Sequence, residues 1–326
     1  MARRGPFRRR AAGAALGALS ASTSTASASP RALGAAAFGT LLLIALMMGA
    51  NHVAARVAFN HGASVATAVA CRSSATVLVL AAVLLLWRVP LKLQRHHARV
   101  LPLIGLLIGV QSLCLYAAVA RLPVALALLA FNCFPLWISL WSRLLYRQRT
   151  EPRVLRAMPV LLLGLGLALD VTGAASGLGA AGQWAQIGAG VAFALTAAAT
   201  FGLALVLTQH EAGGLDGRVR TFTTMALVAL LAGAVLAAQG GPQWPTAAPG
   251  WWGLAALSLL YGTAFTVMFT VLPRLGVVGN SAIMNVEPVF ALVLAWALLG
   301  QAIAPVQVAG ALLVVGTVIW LGTRRH

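Results

Sequence analysis

The chain has 326 residues, 60% hydrophobic and only 9% charged, with a formal charge of +18 and a mean hydropathy of +0.91. Soluble domains carry about a quarter charged residues, so that class is excluded. Apolar runs long enough to cross a ~30 Å hydrocarbon core follow one another along the chain, which makes it a polytopic membrane protein.

In chain order, residues 1–34 come first, Arg-rich and then ASTSTASASP, with no apolar core long enough for a signal peptide. They read as a disordered basic and Ser-rich arm. An acid-free Arg- and Ser-rich start also fits an organelle transit peptide, and a mis-assigned start codon would look the same. With a single lysine and heavy Ala and Gly usage, a bacterial chain is preferred. Ten spans follow, at about 36–58, 64–86, 101–120, 124–146, 154–172, 184–208, 220–238, 252–272, 280–299 and 303–322.

The basic residues set the topology. With the N-terminus in the cytoplasm, all but three of the 23 basic residues fall in inside segments, the three being Arg56, Arg72 and Arg121. The long outer loops near 173–183 and 239–250 have none. This is the positive-inside pattern. It makes the basic excess a topology signal rather than a nucleic-acid footprint, with anionic lipid headgroups as its partners. Both termini are expected on the cytoplasmic side of a bacterial inner membrane.

Two parts of the chain align at an offset of 153 residues. Arg121 falls on Arg274, Asn132 on Asn285, Pro135 on Pro288 and Gln148 on Gln301. The expected organisation is a first five-helix repeat over 35–172 and a second over 173–326. Five is odd, so the halves enter the membrane from opposite sides. Inverted repeats are a common way to build secondary transporters, with the site at the repeat interface.

The pattern resembles a known family. N-x4-R at Asn51 and Arg56, Arg72 in the second span, and YAAVARLPVALALLAFNCFP at 116–135 look like the first half of an EamA-type protein. LPRLGVVGNSAIMNVEPVFALVLAWALLGQ at 272–301 looks like its second half. The resemblance implies membership of the drug/metabolite transporter superfamily, with ten helices in two inverted five-helix repeats. It also implies export or exchange of small metabolites, amino-acid-like compounds among them. One departure stands out: Gln301 occupies a position where such proteins usually carry an acid.

Candidate site residues are the polar groups within the spans, where a charge costs roughly 2.5–3.5 kcal/mol on insertion scales. Glu287 precedes Pro288, which removes a backbone donor and crowds the preceding turn. Glu287 either binds a substrate ammonium or a coupling proton, or braces a neighbouring helix. Arg72 attracts a substrate carboxylate, pairs with Glu287, or reaches to the outer headgroups. For Arg56, nearer the boundary, snorkelling is the preferred reading. His52 is a proton relay or a side chain satisfied by a helix neighbour. Asn132 and Asn285 sit three residues before Pro135 and Pro288. They share a face with them, so they either stabilise freed backbone or touch substrate. Gln111 and Tyr261, near mid-membrane, are cavity-lining candidates, with Ser112 and Tyr116 beside Gln111. Trp137 and Trp141 form a stripe read as packing.

Cys71, Cys114 and Cys133 lie within spans and read as small packing residues; neither a metal site nor a disulfide is expected. His96 and His97 lie in a cytoplasmic loop. No GxxxxGK[ST] segment and no HExxH occurs, so an ATPase or a membrane-embedded metalloprotease is not indicated, and no cofactor is expected. The reading is a secondary active transporter exporting a small metabolite by alternating access. A channel or structural membrane protein is the alternative, and a membrane-embedded enzyme comes after those. Gly105 and Gly109 give a GxxxG spacing that marks either a homodimer face or close packing within the bundle, the latter preferred.

Overall fold

The computed structural model describes residues 35–89, 95–148, 152–212, 214–270, 286–301 and 304–323. Among the described residues all regular structure is helical. In the first half the helices are α1 (Ala35–Asn60), α2 (Val65–Leu86), α3 (Arg95–Arg121), α4 (Val124–Phe131), α5 (Phe134–Tyr146) and α6 (Pro152–Ala168). In the second they are α7 (Gly179–Glu211), α8 (Gly217–Ala238), α9 (Ala248–Thr270), α10 (Glu287–Leu299) and α11 (Pro305–Thr323). Among the described residues six stretches are long and apolar enough to cross a membrane: α1 from Phe38, α2, α3, Val124–Tyr146, α7 and α8. Shorter apolar helices run over Arg156–Ala168, Glu287–Leu299 and Pro305–Trp320.

The expected fourth span, Val124–Tyr146, is made of two helices, α4 and α5, separated at Asn132 and Cys133. Pro135 lies in the first turn of α5, where its missing N–H costs nothing; within a continuous helix its ring would clash with the carbonyl of Phe131. One expectation needs correction: His96 and His97 belong to the first turn of α3, which begins six residues before the expected boundary. His96 Nε2 lies 2.9 Å from Glu211 Oε2 at the end of α7. Glu287 opens the described helix α10, with Pro288 in its first turn; residues 271–285 before it lie outside the described residues. An acid there complements the positive end of the helix dipole.

The radial distribution of side chains is that of a protein in lipid. Leu85, Leu86, Leu230, Leu259 and Leu298 are exposed, whereas Asn51, His52, Arg72, Ser73, Thr76 and Ser112 are buried. In hydrocarbon a polar side chain gains only from other protein groups, so the polar residues gather inward. Hydroxyls also bond within their own helices: Ser73 Oγ donates to Val69 O at 2.6 Å and Thr76 Oγ1 to Arg72 O at 2.8 Å.

The two halves interleave. α3 packs along α7 and α1 along α9; α2 packs on α8, and α6 on α11. α10 lies on α1, as α4 and α5 lie on α7. Small residues let these backbones approach, the packing mode that lipid favours. A Cβ on Gly253 of α9 would stand 2.7 Å from Ala54 O and 2.9 Å from Ala58 N of α1. A Cβ on Gly310 of α11 would stand 2.6 Å from Gly164 O of α6. Gly105 and Gly109 face Leu227 and Leu231 of α8, so this GxxxG spacing is used within the bundle.

Two described loop carboxylates serve local structure. Asp170, after α6, accepts from Ala175 N at 3.1 Å and Ser176 N at 2.8 Å. Asp216 caps α8, accepting from Arg218 N at 2.8 Å, and Arg218 Nη2 lies 2.7 Å from its Oδ2. Hydrogen bonds from Arg218 hold the Asp216 carboxyl below its ordinary range.

Gly253→Leu is expected to lower stability by about 1–3 kcal/mol or more, because it meets backbone that cannot swing away. Gly233→Leu should be neutral, since a Cβ there meets nothing within 4 Å. Thermal unfolding of the two variants in detergent compares them directly. Asp216→Ala should cost about 1 kcal/mol at neutral pH as a lost helix cap. Because the folded carboxyl titrates below its unfolded value of ~3.9, that contribution is present above the unfolded value. It disappears as pH falls through the folded one. Unfolding curves of wild type and variant from pH 7 downward should therefore converge in acid.

Candidate functional site

The site is assembled from α1, α2, α3, α9 and α10, so both halves contribute. Asn51 and His52 are adjacent on α1 and both are buried. Tyr116 of α3 donates its hydroxyl proton to Asn51 Oδ1 at 3.0 Å. His52 Nε2 lies 3.2 Å from Glu287 Oε1, and the His52 and Tyr116 rings stand 5.4 Å apart at 54°. Gly49, three residues before His52, makes this contact feasible. A Cβ at Gly49 would stand 3.0 Å from Glu287 O and 3.1 Å from Ala291 N, so a larger residue would push α1 away from α10.

Arg72 enters from α2. Its guanidinium lies between two phenol rings, 3.8 Å from the Tyr261 centroid and 4.8 Å from that of Tyr116. Its Nη2 donates to Ser112 Oγ at 2.9 Å, and Ser112 in turn reaches Gln111 Oε1 at 3.3 Å. Cation–π contact with desolvated rings is worth about 2 kcal/mol, a partial offset for taking an arginine out of water. Arg72 makes no ion pair among the described residues, and its Nε has no hydrogen-bond partner.

Of the sequence candidates, Glu287, His52, Arg72, Gln111 and Tyr261 therefore fall in one continuous cluster. The geometry narrows the alternatives for two of them. Arg72 is 3% exposed, so it does not reach the headgroups; nor does it pair with Glu287, whose Oε1 is turned to His52. Asn132 is elsewhere, at the α4–α5 break, where its Nδ2 donates to Leu128 O at 2.9 Å. Asn285 lies outside the described residues, as do residues 271–284. The Trp stripe packs: Trp137 and Trp141 stack at 6.2 Å and 25°, and Trp141 Nε1 donates to Ala199 O of α7 at 3.0 Å.

Arg56 does not snorkel. Its Nη1 donates to Val119 O at 2.6 Å and to Leu122 O at 3.2 Å, closing the C-terminal end of α3, where helix carbonyls lack partners. Gln301 plays the converse part, its Oε1 accepting from Val124 N at 3.1 Å at the start of α4. Sequence reasoning missed both contacts; the one signal available was that Arg56 and Gln301 each sit near a span boundary. It also missed that Asn51 would hold Tyr116, although the adjacency of two polar residues in an apolar span was visible.

Among the described residues no group of three His, Cys, Asp or Glu side chains is placed to hold a metal ion. What the cluster offers is hydrogen bonding, one buried cation and one carboxylate–imidazole pair. Those are means of binding and of moving a proton.

Residues 188–323 match the model of the EamA-like transporter family. No curated protein matches the chain. A solved structure described as "Crystal structure of protein" is similar with a TM-score of 0.56 at 20% identity, over 87% of this chain and 95% of its own. At that identity the likeness is one of fold, and its coverage carries the likeness into the first half. Over residues 188–323, in its second half, this multi-pass membrane chain is similar to the EamA-like transporter family.

Proposed function

We propose that the chain is a secondary active transporter that exports a small, amino-acid-like or amphipathic metabolite by alternating access. It would do so across a bacterial inner membrane with both termini inside. The organisation proposed is two inverted five-helix repeats, 35–172 and 173–326, with ten spans in all. The observation that carries this reading is a duplicated helix crossing. Gly49 of α1 meets Phe290 Cβ and Ala291 N of α10; Gly202 of α7 meets Trp137 Cβ and Ile138 N of α5. Each partner in the second contact lies 153 residues from its counterpart in the first, the offset at which Asn132 and Pro135 align with Asn285 and Pro288.

The wider packing supports the same exchange. α3 lies on α7 as α9 lies on α1, and α3 on α8 as α9 on α2. A bundle whose halves are interchangeable in their contacts has two related arrangements of similar energy. A carrier that opens first to one side and then to the other needs such a pair. The polar cluster lies where the halves meet, which suits a central binding site. In this reading the His52–Glu287 pair either accepts a cationic group of the cargo or takes up a proton.

Metabolite release from cells overexpressing wild type or Glu287→Gln, at matched protein levels, tests this. The expected result is one or more compounds accumulating outside with the wild type. The variant should release them more slowly by about tenfold or more, the factor given by 1.4 kcal/mol. Equal release by both would keep the transporter and leave Glu287 as a brace between α1 and α10. If wild-type protein raised no compound outside the cells, the export reading would fail.

A further inference from the structure

Among the described residues no carboxylate lies in direct contact with Arg72. Arginine keeps its charge in proteins, and Arg72 is 3% exposed. Burying an ion without a counter-ion costs several kcal/mol even after relaxation. Described carboxylates contact the imidazoles of His52 (Glu287) and His96 (Glu211) and the guanidinium of Arg218 (Asp216); Arg72 is in none of these contacts. Tyr116, Tyr261 and Ser112 hold the guanidinium in place through ring faces and a hydroxyl. These groups orient the cation without cancelling it, and Nε is left without a partner.

We infer that Arg72 is the anion receptor of the central site, and that the transported compound presents a carboxylate to it. This deepens the transporter reading and rests on it. A planar guanidinium matches a carboxylate through two parallel N–H···O bonds, and the buried Nε, which has no hydrogen-bond partner among the described residues, is one of the donors that such a fork uses. A single monoanion balances a single arginine, whereas a phosphate dianion would leave excess negative charge in a dry setting. Glu287 is held off by His52, so the guanidinium stays available between cargo molecules. Arg72 thus selects by charge: a compound lacking the carboxylate leaves the buried cation uncompensated on entry. The rings that flank Arg72 come from α3 of the first half and α9 of the second. A carboxylate bound there is therefore sensed by both halves at once.

The test uses purified full-length protein in vesicles loaded with an equimolar mixture of L-amino acids, their carboxamides and their decarboxylated amines. Efflux is followed by mass spectrometry for wild type, Arg72→Gln and Arg72→Lys. Wild type is expected to pass acids faster than the matching amides and amines by about tenfold or more, since sites built around a polar group reject analogues lacking it. Arg72→Gln should remove that preference. Arg72→Lys should restore part of it, because it keeps the charge but not the planar fork. Selective efflux of amides or amines by wild type, or an unchanged acid preference in a folded Arg72→Gln, would overturn the inference and leave the transporter standing. Efflux of nothing above protein-free vesicles would overturn both. A Gln variant that fails to fold leaves the comparison of acids with amides in wild type and Arg72→Lys to decide.

Discussion

Hydrocarbon offers no hydrogen bonds, and from that constraint the rest of the architecture follows. Every backbone group in a span must be satisfied within the protein, which confines the described regular structure to helices. The same constraint turns the polar side chains inward, toward one another. Asn51 meets Tyr116, His52 meets Glu287, Arg72 meets Ser112, and the serines and threonines fold their hydroxyls back onto their own helices. The surface is left to leucine and tryptophan.

A second consequence is that no hydrophobic force draws the helices together, since lipid tails are as apolar as leucine. Close backbone approach has to do that work, and glycine permits it at the crossings that define the bundle: Gly49 on α10, Gly202 on α5, Gly253 on α1, and Gly164 with Gly310 between α6 and α11. These are the points at which one half touches the other. The polar cluster lies next to the first of them, so the contact that sets the α1–α10 distance also sets the His52–Glu287 distance. Site geometry and bundle packing are one variable here rather than two.

Much of the site was legible in the sequence for a simple reason. In a chain with so few charges, each polar residue inside a span is conspicuous, and its cost implies a use. Glu287, His52, Arg72, Gln111 and Tyr261 could be singled out on that basis. Their pairing could not. Arg72 was the partner that the sequence offered Glu287, and only the folded chain turns its carboxylate to His52 and leaves Arg72 between Tyr116 and Tyr261. Arg56 misled for a related reason: its position near a span end fits an arginine reaching to headgroups. The C-terminal end of α3 lay closer, and the carbonyls of Val119 and Leu122 accept from the Arg56 guanidinium. The break at Asn132 was half visible, since Pro135 announces a disturbance without saying whether the helix bends or stops.

The sequence by itself determined the class of the protein, the positions of most spans, the charge asymmetry and the 153-residue offset. These depend on composition and on local periodicity, which a chain carries whether or not it is folded. Which helix lies on which was decided by the tertiary structure alone. The fit of a glycine to the backbone of another helix, and the choice of a partner for the Glu287 carboxylate, join residues far apart in the chain. No local pattern records that choice, because its energy exists only once the helices have met.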